Sequence, residues 1–162
     1  MSQNYNATLT MPAARELIIT RVFNAPRALV FEAMTKAEHI RQWYGMRSHQ
    51  MTVCEFDPQV GGRWRYVTAG PDGSEYGFSG VIKELVPPER IVFTEGFEAM
   101  PGHEYLVTTT FTEQGNQTTI HVHLLYQSQA DRDGHVGAGM EYGMNETYDR
   151  LDEHLQTLKS AA

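Results

Sequence analysis

Residues 140–159 read MEYGMNETYDRLDEHLQTLK, and within them Met140, Met144, Tyr148, Leu151, Leu155 and Leu158 recur at intervals of four, four, three, four and three. That spacing is the apolar stripe of an α-helix with one buried face. Such a helix needs a surface to cover, and the preceding sequence supplies one. Between Ser48 and Tyr126, six β-type runs (MTVCEF, RWRYVTA, YGFSGVIKELV, RIVFTEGF, EYLVTTTFT and QTTIHVHLLY) alternate with turn residues. The breaks are Asp57-Pro58 with Gly61-Gly62, Gly70-Pro71-Asp72-Gly73, Pro87-Pro88, Met100-Pro101-Gly102 and Glu113-Gln114-Gly115-Asn116. Tight turns between consecutive strands predict an antiparallel meander. In the last run Ile120, Val122, Leu124 and Tyr126 alternate with Thr119, His121, His123 and Leu125, which gives one apolar face for the segment from Ala130 to about Lys159 to cover.

Further out, ELIITRVF (Glu16 to Phe23) is β-branched and apolar and reads as a strand ending at Asn24-Ala25-Pro26. Pro26 suits the first turn of a helix carrying Leu29, Val30, Ala33 and Met34 at helical spacing. A second short helix, Ala37 to Tyr44, presents Ile40 and Trp43 and ends at Gly45. The polar start, interrupted by Pro12, is expected to be a flexible arm over residues 1–14, ahead of one domain over 15–162. The predicted class is α+β, a helix-grip fold in which a curved antiparallel sheet wraps a long C-terminal helix.

Composition limits the function classes. At 162 residues, 41% hydrophobic and 20% charged, the chain has the make-up of one ordinary globular domain. Twenty acidic residues against 13 basic ones give a net charge of −7, which repels phosphate backbones and argues against nucleic acid as a partner. No apolar run approaches the roughly eighteen residues that cross a bilayer, so membrane insertion is not expected. The single Cys54 cannot form an internal disulfide, and MSQNYNATLTMPAAR has neither a basic n-region nor an apolar h-region, so a cytoplasmic location is expected. A homodimer is compatible with all of this.

The elements in this order resemble the START-like (SRPBCC) helix-grip superfamily of lipid carriers, the birch-pollen allergen and aromatic polyketide cyclases. ITRVFNAPRALVFEAMT, EHIRQWYG, GGRWRY, GVIKELVPPERIVFT and NETYDRLDEHL look like the bacterial proteins related to the C-terminal domain of the activator of the heat-shock-protein-90 ATPase. The resemblance runs from Arg15 to Leu158 and implies a cavity between sheet and terminal helix. In the eukaryotic co-chaperone the main ATPase-stimulating contacts lie in a separate N-terminal domain, so the resemblance does not by itself imply chaperone contact.

Trp43, Trp64, Tyr66, Phe78, Phe93, Phe97 and Phe111, with Met140, Met144 and Tyr148 from the terminal helix, are the candidate cavity lining, and Tyr105 and Tyr126 can add hydroxyls. Gly134, Gly137, Gly139 and Gly143 crowd the start of that helix. Either they form a pliable gate, with Gly137, Gly139 and Gly143 at its centre, or the first turns are irregular and the helix starts near Gly139. His121-Val122-His123 has a metal-chelating spacing, but Gln127 stands where a cupin-type site wants a glutamate, and both imidazoles lie opposite the apolar face, so no metal is assigned. Cys54 lies within a β-branched strand, the setting of an inert thiol. Glu84, Glu95 and Glu141 are the carboxylates able to face a cavity; no catalytic residue and no cofactor is assigned. The favoured function is binding of a small hydrophobic or aromatic molecule. Its rivals are a cyclase-like or hydratase-like enzyme using a cavity carboxylate or tyrosine, and a chaperone-associated interaction protein. Two or more polar side chains converging in the cavity would favour the enzyme, and a filled interior the interaction protein.

Overall fold

A computed structural model describes residues 7–161. The elements are β1 (Thr8–Thr10), β2 (Glu16–Phe23), α1 (Arg27–Thr35), α2 (Ala37–Trp43), β3 (Gln50–Phe56), β4 (Arg63–Ala69), β5 (Glu75–Val86), β6 (Arg90–Phe97), β7 (Tyr105–Gln114), β8 (Gln117–Leu125), α3 (Gln129–Gly137) and α4 (Met140–Ala161). The strands form one antiparallel sheet in the order β1-β2-β8-β7-β6-β5-β4-β3. The expected meander is therefore β3 to β8, and β2 joins it by pairing along its length with β8, from Glu16 opposite Leu125 to Phe23 opposite Thr118.

Register shifts between Met51 and Val53 and between Ile82 and Glu84 bulge the ladder, and bulges bend and twist the strands that carry them. The sheet curves as a result, with α4 across its concave side. At Gly80 on β5, a Cβ would fall 1.7 Å from the Thr94 carbonyl oxygen of β6, so the two strands approach this closely only with glycine there. That carbonyl also accepts the Trp64 indole N–H at 3.1 Å.

Leu17 and Phe23 of β2, Ile120 of β8, and Leu151 and Leu155 of α4 form the sealed part of the core, while Ile19, Val122 and Leu124 beside them border the cavity described below. Each large aliphatic side chain removed from water here contributes about 1.5–3 kcal/mol. Among the described residues, no helix is long and apolar enough to cross a membrane.

The structure adds detail at both ends of the chain. Residues 1–6 of the expected loose arm lie outside the described residues, but residues 8–10 pair with β2, with Leu9 opposite Ile19, and Ala7 is buried with its N–H donated to Asn145 Oδ1 at 3.1 Å. Three residues are too short a run for strand alternation to be read. The terminal cover is two helices rather than one. Gly139, at φ +86°, is in the left-handed region and cannot continue a right-handed helix, so α3 ends at Gly137 and α4 begins at Met140. The long helix starts at Met140, next to Gly139, but the turns before it are the helix α3 rather than irregular chain.

Candidate functional site

Strand alternation builds the site. On β6 every second residue, Ile91, Phe93, Glu95 and Phe97, turns to the concave face, and Trp64, Tyr66 and Thr68 of β4 and Tyr105 and Val107 of β7 do the same. With the roof supplied by α3 and α4, they enclose a cavity of about 780 Å³. The stripe on α4 divides in two accordingly. Leu151 and Leu155 are fully buried against the sheet, while Met140, Met144 and Tyr148 keep accessible surface because they face the cavity. Tyr76 and Met100, exposed by 40% and 52%, border the cavity where it meets solvent, and Gly139 and Gly143 border it from the helical side.

The wall is largely aromatic. Tyr66 lies with its ring centroid 4.8 Å from both Tyr44 and Trp64, Phe93 meets Trp64 edge-on at 5.6 Å, and Phe78 stacks on Phe97 at 5.1 Å. Trp43 reaches the cavity from α2 with its N–H already donated to the Ala33 carbonyl at 2.9 Å.

Polar groups converge at one end. The Tyr105 hydroxyl donates to Glu95 Oε2. The Tyr105 ring lies 4.9 Å from that of Tyr126, whose hydroxyl is 2.6 Å from His135 Nδ1. Burial raises the Glu95 pKa, opposed in part by the Tyr105 hydrogen bond. Burial, followed by the Glu95 charge and the hydrogen bond to it, pushes the Tyr105 phenol well up. Burial lowers the pKa of His135, which favours the neutral imidazole. A neutral imidazole has one donor and one acceptor nitrogen, and among the described residues Nε2 has no protein partner. A carboxyl whose acid form is favoured by burial, next to a tyrosine and a neutral histidine, can anchor a polar group or exchange a proton with it.

Nine of the ten lining candidates border the cavity: Trp43, Trp64, Tyr66, Phe78, Phe93, Phe97, Met140, Met144 and Tyr148. Phe111 does not. It shares the inward face of β7, but α1 covers that end of the strand and Phe111 packs on Phe31 with centroids 5.1 Å apart. Of the gate glycines, Gly139 and Gly143 border the cavity and Gly137 does not, because it closes α3 on the exposed side. Glu84 pairs on the surface with Arg90 at 3.3 Å and Glu141 is exposed, so only Glu95 of the three carboxylates is inside. His121 is exposed, and His123 Nε2 is 2.7 Å from Glu16 Oε1. Cys54 is buried, its pKa raised by burial and its thiol 3.6 Å from the Ala37 carbonyl.

Sequence reasoning missed His135 and Tyr44. His135 sits on α3, QADRDGHVG, where Val136 is the one large apolar side chain, and Tyr44 follows α2 with no motif beside it to mark it as part of a site.

The chain matches the family described as Activator of Hsp90 ATPase homolog 1-like protein over residues 24–156. No curated protein matches it. Among solved structures, a Rhodobacter sphaeroides protein is 28% identical with a TM-score of 0.88, over 94% of this chain and 99% of that one. A Mycobacterium smegmatis protein is 25% identical with a TM-score of 0.80, over 91% and 97% of the two chains. A Staphylococcus epidermidis protein is also 25% identical, with a TM-score of 0.79 over 93% and 94%. With the family pattern extending from the end of β2 almost to the end of α4, on a sheet and helix that superpose on these bacterial proteins, the chain belongs to the Activator of Hsp90 ATPase homolog 1-like family.

Proposed function

We propose that the protein binds a small hydrophobic or aromatic molecule in the cavity between the sheet and α4, in the cytoplasm. The observation that carries this is an aromatic-walled space of about 780 Å³ left open at a mouth, in a domain whose neighbouring core is sealed. Ligand pockets are commonly of this size and lining, with a few placed polar groups. An interior left open in this way is the reverse of what the chaperone-associated reading requires. Native mass spectrometry of protein purified from its source tests the proposal. The expected result is an adduct that is lost on denaturation, together with displacement of an apolar fluorescent probe by the released compound. A chain that carries no adduct and binds no apolar probe would sink it.

One observation favours a second reading. Glu95 with Tyr105, and Tyr126 with His135, are two polar pairs in one end of the cavity, the convergence that proton-transfer chemistry requires. In that reading the bound molecule is a substrate, and its conversion disappears in Glu95→Gln while its binding survives.

A further inference from the structure

The charges around the cavity are lopsided. Among the described residues no lysine or arginine lines it, although the chain has 13 of them. Two carboxylates do. Asp131, near the mouth, is matched by His103 at 2.9 Å. Glu95 lies among the aromatic side chains and has no cationic partner; Tyr105 occupies Oε2, and Oε1 has no partner among the described residues. The Oε1 atom is not sealed off, because Glu95 keeps accessible surface and borders the cavity.

The surroundings of Glu95 are rings from several elements: Tyr44 after α2, Tyr66 on β4, Tyr105 on β7, Tyr126 after β8 and Tyr148 on α4. After burial, the Glu95 charge is the next cause raising the phenol pKa of Tyr44, Tyr126 and Tyr148. Aromatic faces are electron-rich, and a desolvated cation held over them is attracted to them. Burial favours the acid form of Glu95 when the cavity holds no cation, and an ammonium at Oε1 favours the ionised form instead, adding a charge-assisted hydrogen bond. An anionic ligand would meet no lysine or arginine, only the imidazoles of His49, His103 and His135, and it would face the unmatched carboxyl of Glu95.

We propose that the cavity selects, among hydrophobic ligands, an organic cation, an aryl-alkyl or alkyl amine whose ammonium donates to Glu95 Oε1 while its apolar part lies against the Trp64, Tyr66 and Phe93 wall. This rests on the ligand-binding reading above and names the chemical class of the ligand. The carboxyl supplies polarity and charge recognition, and the rings supply both apolar contact and cation–π attraction.

Three probes of one skeleton test it: 4-phenylbutylamine, 4-phenylbutan-1-ol and 4-phenylbutyrate, titrated into the wild-type chain at neutral pH by calorimetry. The amine is expected to bind about tenfold or more tighter than the alcohol, and the carboxylate weakest. In Glu95→Gln, which keeps an acceptor for Tyr105, the amine should lose about that factor and the alcohol should stay within about twofold. Alcohol and amine binding equally, or the carboxylate binding best, would overturn the cation proposal and leave the hydrophobic-ligand reading standing. Failure of all three probes to bind would count against both. The wild-type series needs no variant, so it decides the matter even if Glu95→Gln does not fold.

Discussion

Arg21 on β2 and Asp149 on α4 form an ion pair at 3.0 Å that ties the sheet to the roof helix one residue beyond Tyr148. Arg21 occupies an inward position of the strand, between Ile19 and Phe23, and is 1% exposed; its guanidinium lies 5.3 Å from the Phe23 ring centroid, and Nη2 is buried without a partner. Removing Asp149 leaves that charge buried and unpaired. Asp149→Ala is expected to cost about 3 kcal/mol, the low end for breaking a buried pair, because the Asp149 side chain remains 33% exposed. Arg21→Met, which removes the charge and keeps the apolar stem, should cost clearly less. Urea melts of the two variants check this, and equal losses would mean that packing rather than charge dominates at the site.

Leu151 and Leu155 are both 0% exposed where α4 crosses the sheet. Alanine at either position should destabilise the fold by about 2–5 kcal/mol, from lost transfer energy plus the cavity left behind. Met144→Ala, on the same stripe but facing a space that already exists, should cost less than either. Denaturant melts of all three measure the difference, and a loss under about 1 kcal/mol at both leucines would contradict the packing described.

What the sequence made legible follows from where its periodicities are strong. The α4 stripe, the turn residues from Asp57 to Asn116 and the alternation in β8 were enough for the meander and the helix across it. Alternation also put Glu95 in step with Ile91, Phe93 and Phe97, so its inward position could be read, although its lack of a cationic partner could not. Arg21 alternates with Leu17, Ile19 and Phe23 in the same way, but its counter-charge lies 128 residues away on another element. The α3–α4 break depends on the backbone conformation at Gly139, and a glycine in sequence allows that conformation without requiring it.

The contribution of Glu95 to stability depends on pH. Burial raises its pKa above the ordinary 4.5, so the folded chain holds this proton more tightly than the unfolded chain. The associated stability is fully present below pH 4.5 and is lost as pH rises through the folded value. Glu95→Gln carries no charge to desolvate, so it should be more stable than wild type at alkaline pH, and the gap should close as pH falls toward 4.5. Melts across pH test it; a glutamine variant less stable at every pH would show that the carboxyl is held by stronger interactions than the Tyr105 bond.

His154 on α4 acts in the opposite direction. Its Nε2 is 3.0 Å from His39 Nδ1 on α2, and burial, then the His39 charge, holds its pKa below the ordinary 6.5. The folded chain therefore favours neutral His154. That contribution is present above pH 6.5 and is lost as pH falls through the lower folded value. His154→Gln, which can still hydrogen-bond His39, should lose less stability than wild type between neutral and mildly acid pH. An identical acid limb in the two proteins would remove this pair as a cause of acid sensitivity.

Gly139 and Gly143, four residues apart, differ in backbone conformation and are expected to respond to alanine in opposite directions. Gly139 sits at φ +86°, where an L side chain costs about 1–2 kcal/mol, so Gly139→Ala should destabilise even though a Cβ there meets nothing within 4 Å. Gly143 has no positive φ, and its added Cβ would come only to 3.9 Å from Met46 Sδ. Gly143→Ala should therefore stabilise α4, by about 0.5–1 kcal/mol. The α3–α4 joint at Ala138-Gly139 borders the cavity, whereas Leu151 and Leu155 lock the far half of α4, so opening should be confined to the joint. Amides from Gly137 to Gly143 should exchange with solvent much faster than those from Leu151 to Leu158, and 4-phenylbutylamine should slow the first set alone by favouring the closed state. If Gly143→Ala stabilises the fold and leaves probe uptake unchanged, the glycine is a weak point of the helix and nothing more. If uptake slows, the mobility of the joint is how the cavity is entered. Uniform protection from Gly137 to Leu158, with or without the amine, would rule out such an entrance.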